Sequence, residues 1–226
     1  MDKSSVRNCK GSQTGSEKAH LLAWDREYTH LKWGGPAPVR DIQAHLLPGS
    51  RVLDAGSGNG RYLGELVKLY DATGIDISLT ALKGSRAQLA RSSRFPEHLG
   101  ASISDLPFKA RVFDGILCYG VLQHLFKEER ESAVLEFSRI LRKDGFVFFE
   151  AFGYKDMRCG GETSAFFEEK TFARQNGIVY HYFTKEEVGA LFGEFELIRL
   201  EDLIREKNFR GETYKRHLVK GIFRKL

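Results

Sequence analysis

The sequence predicts an α/β fold, a Rossmann-like doubly wound sheet of seven strands, mostly parallel and closed by an antiparallel hairpin. Three observations carry this expectation. From Arg51 onward short apolar runs alternate with helical patterns, and alternation at this spacing gives right-handed crossovers with helices on both faces of a parallel sheet. A glycine loop, GSGNG, follows the first of these runs, at the strand end where open α/β sheets bind ligands. Near the end, FELIRLEDL and YKRHLVKGIF have no helix between them, which gives an antiparallel pair joined by a short charged loop.

Each element has its own signal. RVLDA is a buried first strand, and RYLGELVKLY places Leu63, Leu66, Val67 and Tyr70 on one helical stripe. ATGID is the second strand, followed by the helix SLTALKGSRAQLARS with Ser78 as its N-cap. A third strand is expected near LGASIS. VFDGILCYG is the fourth, continuously apolar as a strand buried on both faces should be. KEERESAVLEFSRILRKDG is the clearest helix: Val134, Phe137 and Leu141 share a face, basic residues crowd the last turn, and Gly145 is expected to stop it. FVFFEAFG is the fifth strand. Thr184 and Glu187 form a capping-box signature before Val188, Leu191 and Phe192.

Composition sets the bounds. The 226 residues are 42% hydrophobic and 29% charged, which suits one domain with a sizeable core. No apolar run approaches the ~20 residues of a membrane span. Residues 1–18 are polar, without the apolar core of a signal peptide, and are expected to form a flexible lead-in to a domain over 19–226. Cys9, Cys118 and Cys159 are widely spaced with no C-x-x-C pair; neither a disulfide framework nor a metal site is expected, and a cytoplasmic location is. The net charge is +5, and the excess gathers in REKNFRGETYKRHLVKGIFRKL, with eight Lys/Arg against two Glu. Such a tail is either a solvated face or a nucleic-acid contact.

Three cofactors compete for the loop. The dinucleotide fingerprint needs glycine at position 61, where Arg61 stands, and a P-loop needs a terminal Gly-Lys-Ser/Thr, which is absent. What remains is D-x-G-x-G-x-G: Asp54, Gly56, Gly58 and Gly60. Here the chain resembles the class I S-adenosylmethionine (SAM)-dependent methyltransferases, the type 11 group, over roughly residues 46–153. Three further positions fit the resemblance: Asp76 in GIDIS, Asp105 in SISDLPF, and the turn FDGILCYGVLQHL. The resemblance implies that Asp76 grips the SAM ribose, with Ile77 beside it. It also implies that Asp105 accepts a bond from the adenine amino group, that Leu106 supplies a backbone amide, and that Tyr119 lies near the sulfonium. SAM carries a cationic sulfonium and no pyrophosphate, so the glycines serve close backbone approach and Asp54 favours the ammonium.

Methyl transfer asks an enzyme for alignment and, where the nucleophile carries a proton, for a base. His124, just past the fourth strand, is the candidate base, with Gln123 at the same rim. Trp24, Tyr28 and Trp33 precede the core, and the resemblance implies a lid there; Tyr28 is a candidate cofactor contact through cation–π attraction. Residues 154–183 form an aromatic insertion on the substrate side, from which His181 and Tyr182 are expected to face substrate. The expected activity is methyl transfer from SAM to a small-molecule acceptor. GNGRYL and VLQHL also resemble the wobble-uridine tRNA methyltransferases, leaving RNA as a second acceptor class. A non-catalytic SAM-binding subunit is the third reading. No membrane or DNA partner is expected, and the oligomeric state and nucleophile stay open.

Overall fold

The computed structural model describes residues 13–30, 34, 37–92, 94–160, 165–209 and 212–226. Trp33 and most of the N-terminal lead-in lie outside the described residues. Helix α1 (Gln13–His30) leads into α2 (Arg40–His45), and then the wound core begins: β1 (Arg51–Ala55), α3 (Leu63–Leu66), β2 (Asp71–Asp76), α4 (Leu79–Leu89), β3 (Glu97–Gly100) and β4 (Phe113–Tyr119). A 3-10 turn at Leu122–His124, α5 (Lys127–Ile140) and β5 (Leu141–Phe152) follow. The insertion forms a separate antiparallel sheet of β6 (Ala165–Glu168), β7 (Thr171–Ala173) and β8 (Val179–His181). Then α6 (Lys185–Leu191) leads to the hairpin β9 (Phe195–Phe209) and β10 (Glu212–Lys225).

The main sheet has seven strands in the order β3-β2-β1-β4-β5-β10-β9. The first five are mutually parallel, and β10 runs antiparallel to both β5 and β9. Strand order reverses between β1 and β4, and the cleft at that point is where such sheets bind ligands. Alternation along each strand divides the core in two. Leu53, Ile116, Phe149 and Val219 pack with α5 and α6 on one face; Val52, Leu117, Phe148 and Ile222 pack with α2 and α3 on the other.

Four local expectations are corrected. The third strand is Glu97–Gly100, ending four residues before the end of LGASIS, because register with β2 runs from Thr73↔Glu97 to Asp76↔Gly100. The helix in RYLGELVKLY is only Leu63–Leu66, although all four residues of its stripe are buried. α5 ends at Ile140 rather than at Gly145, since Leu141 already pairs with Phe113 in the sheet. The charged loop between the last two strands is itself strand: pairing continues outward to Phe209↔Glu212. The N-caps hold, with Ser78 Oγ accepting from Ala81 N at 3.1 Å and Thr184 Oγ1 from Glu187 N at 3.2 Å.

Candidate active site

A cavity of about 280 Å³ opens at the carboxyl ends of β1, β2, β4 and β5. Its floor is the glycine loop. Gly56, Gly58 and Gly60 have φ of +80°, +54° and +84°, the left-handed region that glycine enters without penalty. The loop is also crowded: a Cβ on Gly58 would stand 2.5 Å from the Tyr28 hydroxyl, and one on Gly56 2.4 Å from the Val121 side chain.

Two buried carboxylates hold the loop. Asp76 ends β2, where its Oδ2 accepts from Gly58 N and its Oδ1 from Ser78 N, both at 2.8 Å. Burial pushes its carboxyl up to about 6, against those two N–H bonds and with help from the charge of Asp25. Asp54 ends β1 next to it. Burial, then the charge of Asp76, push Asp54 up to about 7 despite a backbone bond from Leu63. Asp54 Oδ2 and Ser57 Oγ are buried without a hydrogen-bond partner. A glycine cradle above two solvent-shielded acids fits a cationic ligand that lies close to backbone, and SAM has that chemistry.

Helix α1 covers this end. Asp25 Oδ1 accepts from Ser78 Oγ at 2.6 Å and from Thr80 N at 3.2 Å, which pins α1 to the start of α4. Trp24 and Tyr28, one turn apart, thereby reach the cavity wall. Ile77 and Tyr119 line the wall as well.

Asp105 and Leu106 do not. Asp105 is exposed, and the Leu106 N–H is donated to Glu136 Oε2 at 2.8 Å, part of a network in which Arg139 grips Glu136 and the carbonyls of Leu106 and Phe108. The chain reaches the cavity slightly earlier, through Ala101, Ser102 and Ile103.

On the side of the cavity facing the insertion the structure again shifts the positions. His181 is buried away from the cavity: its Nδ1 meets Thr171 Oγ1 at 2.6 Å and its Nε2 meets Glu187 Oε1 at 2.7 Å. Tyr182 is also fully buried, its hydroxyl donating to the carbonyl of Arg158 at 3.0 Å. The residue between Val179 and His181, Tyr180, is the one that lines the cavity, because neighbours on a strand face opposite ways. It lies parallel to Phe152 (6.3 Å, 16°) and edge-on to His124 (4.8 Å).

His124 is in the wall, inside an ordered relay. Phe152 N–H donates to Gln123 Oε1 at 2.8 Å, which turns the Gln123 amide nitrogen toward His124 Nε2 at 3.1 Å. That nitrogen then serves as acceptor, and Nδ1–H donates to Val179 O at 2.8 Å. The ring edge also meets Trp24 at 4.8 Å. Sequence reading missed Glu150, Phe152, Arg158 and Tyr180 in this wall. Glu150 sits on β5 beside Tyr119, its register partner on β4. Burial raises its carboxyl above the usual range, while the Lys220 ammonium at 3.9 Å opposes the rise.

The comparisons agree with this geometry. Residues 53–149 match the family model "Methyltransferase domain" of the type 11 group. Over this span the chain is similar to the type 11 group of class I SAM-dependent methyltransferases. The matched span runs from β1 to β5 and contains the glycine loop, both buried acids and His124. Among similar proteins of this kind is a tRNA (carboxymethyluridine(34)-5-O)-methyltransferase of Arabidopsis thaliana, 36% identical over 63% of this chain and 37% of that protein. Another, from Xenopus tropicalis, is 32% identical over 61% of this chain and 24% of that protein. The chain thus spans well under half the length of these curated relatives. In fold, a 1,6-didemethyltoxoflavin-N1-methyltransferase of Burkholderia thailandensis, solved with its acceptor and S-adenosylhomocysteine, superposes with a TM-score of 0.69 at 20% identity, covering 97% of this chain and 93% of that one. A methyltransferase from Methanosarcina mazei gives 0.67 at 24% identity over 84% and 99%.

Proposed function

We propose that this methyltransferase domain transfers a methyl group from SAM to an acceptor seated between Phe152, Tyr180 and Glu150. The observation that carries the reading is the juxtaposition of the left-handed glycine loop with two buried carboxylates, Asp76 and the partly unsatisfied Asp54, at the point where strand order reverses. Bound SAM supplies an activated methyl group. Gly56 and Gly58 let its methionine portion approach the backbone, while Gly60, off the cavity lining, gives the loop close passage beside Ser85. Asp54, buried behind the lining, favours the ammonium through the field of its carboxylate. Asp76 and Ile77 hold the ribose, and Tyr28 with Trp24 covers the sulfonium side. The adenine lies against Ala101, Ser102 and Ile103.

The residues divide the remaining work. His124 has both ring nitrogens engaged, so it positions Gln123, Tyr180 and β8 rather than moving protons. Glu150 is the wall group suited to take a proton from an acceptor that carries one, since burial raises its basicity. Lys220, held at 2.9 Å from Asp41, tempers that shift.

The acceptor in this reading is a small molecule. Helix α1 and the insertion cover the cavity, and three of the eight C-terminal cations sit against acidic neighbours. Arg216 pairs with Asp156 at 2.8 Å, Lys220 with Asp41, and Arg224 Nε with Glu196 at 2.7 Å. The second reading, a tRNA uridine, is favoured by the names of the two curated relatives. Incubation with methyl-labelled SAM and separated metabolite and RNA fractions tests both. Label in a metabolite fraction, lost in Glu150→Gln with SAM binding kept, supports the first; label confined to tRNA supports the second. Absence of SAM binding overturns the proposal.

A further inference from the structure

The insertion holds one guanidinium in an arrangement that the cofactor site does not use. The Arg158 guanidinium sits over the Phe152 ring, 4.1 Å from its centroid, and lines the cavity. Its backbone and its head group are both fixed. The Arg158 carbonyl accepts from the Tyr182 hydroxyl and from Arg174 Nη2. Its Nε donates to Asp156 Oδ1 at 3.1 Å, and its own N–H donates to the same oxygen. Asp156 is buried and anchored from the other side by Arg216 Nε at 2.8 Å and His217 N at 3.2 Å. Burial disfavours the Asp156 charge, but the bonds from Arg216 and Arg158 outweigh it and lower its pKa.

This leaves one nitrogen over. Arg158 Nη2 is shut off from solvent and has no hydrogen-bond partner. Buried donors are almost always paired, and a guanidinium is never relieved by losing its proton. The local charges point the same way: two guanidinium groups share one carboxylate, which leaves a net positive charge against an aromatic wall. The fixed geometry matters too, since a preorganised donor loses little freedom on meeting its ligand.

We infer that Arg158, braced by Asp156 and Tyr182, is an acceptor-binding residue that selects acceptors bearing a carboxylate. The guanidinium fork matches a planar carboxylate, and the aromatic side chains of Phe152 and Tyr180 in the same wall suit an apolar or planar group attached to it. This rests on the proposed acceptor site, and it assigns to Tyr182 a positioning role in place of direct contact with substrate.

The test reads Arg158 itself. Phenylacetate, and its neutral amide phenylacetamide, are titrated into the full chain, with and without S-adenosylhomocysteine, while the Arg158 Nε–H resonance is followed by NMR. Phenylacetate is expected to shift that resonance saturably and phenylacetamide is not. Arg158→Gln should weaken phenylacetate at least about tenfold. Asp156→Asn should also weaken it, with the cofactor analogue bound as in the wild type. Equal shifts from acid and amide, or no shift from either, would overturn the inference. Failure of S-adenosylhomocysteine to bind would instead sink the proposed cofactor site, with the phenylacetate arm still deciding Arg158.

Discussion

Acid should weaken SAM binding far more than an ordinary carboxylate site would allow. Asp54 and Asp76 stand near 7 and 6 in the free protein, and as close neighbours they titrate as a pair. A cationic ligand needs both ionised. At about pH 7.5 most of the population is in that state; at about pH 5 both carboxyls are protonated, roughly a hundredfold and tenfold against ionisation. The product is a loss of affinity on the order of 10³ between the two pH values, or about 4 kcal/mol. Titration calorimetry across this range, in two buffers of different ionisation enthalpy, should show protons released on binding near neutrality. Asp54→Asn should leave only the Asp76 part, about tenfold over the same range. The sign for the unliganded fold is opposite to the common carboxylate case. Both folded pKa values lie above the unfolded 3.8, so the folded state binds more protons between about pH 4 and 7, and stability falls as pH rises through that window. Asp54→Asn should therefore raise the melting temperature of the unliganded protein at neutral pH while weakening SAM. A SAM affinity that is flat with pH, or binding without proton release, refutes the role given to the pair.

Three further outcomes follow from particular contacts. Gly58→Ala forces a side chain into a left-handed position 2.5 Å from the Tyr28 hydroxyl, so SAM affinity should fall at least about tenfold with the sheet intact; calorimetry beside circular dichroism checks it. His181→Ala breaks the buried links to Thr171 and Glu187 and should cost about 2 kcal/mol in chemical denaturation with SAM affinity almost unchanged, whereas Tyr180→Ala should remove turnover at little cost in stability. If His181→Ala abolishes turnover in a protein of unchanged stability, the placement of β8 is wrong. Charge reversal at the exposed Lys215 should leave a small-molecule activity near the wild-type rate; a salt-sensitive tRNA complex lost in that variant would favour RNA, with a slope of about −0.7 per phosphate on a single strand. Arg216 and Lys220 are unsuitable for this purpose, because their acidic partners would be left unpaired.

What the sequence shows, and what it hides, follows from how locally each feature is determined. The sheet was legible because its strands are nearly continuous apolar runs and the turn after β1 needs three left-handed residues, a requirement that only a pattern such as G-x-G-x-G meets cheaply. Asp54 and Asp76 were legible as strand-terminal acids for the same reason. Asp105 and Leu106 were misplaced because β3 ends at Gly100, so the cavity is reached at 101–103 before the chain turns toward Arg139. The acceptor wall fails differently. In YHYF aromatic and polar residues occupy both faces of a three-residue strand, and no hydrophobic alternation says which parity points inward. That choice is made by tertiary partners distant in sequence: Thr171 and Glu187 draw His181 to one face, and His124 and Phe152 receive Tyr180 on the other. Arg158 was hidden for a similar reason, since its significance depends on Asp156 being claimed by Arg216, sixty residues away along the chain. The C-terminal cations, read from sequence as a solvated face or an RNA surface, thus support the wall of the proposed acceptor site: Arg216 orders the carboxylate that aims Arg158, and Lys220 sets the charge beside Glu150. An Arg216→Gln variant, which keeps a hydrogen-bond donor but drops the charge, should consequently weaken phenylacetate while leaving SAM binding intact, and an unchanged phenylacetate affinity would separate the hairpin from the acceptor site.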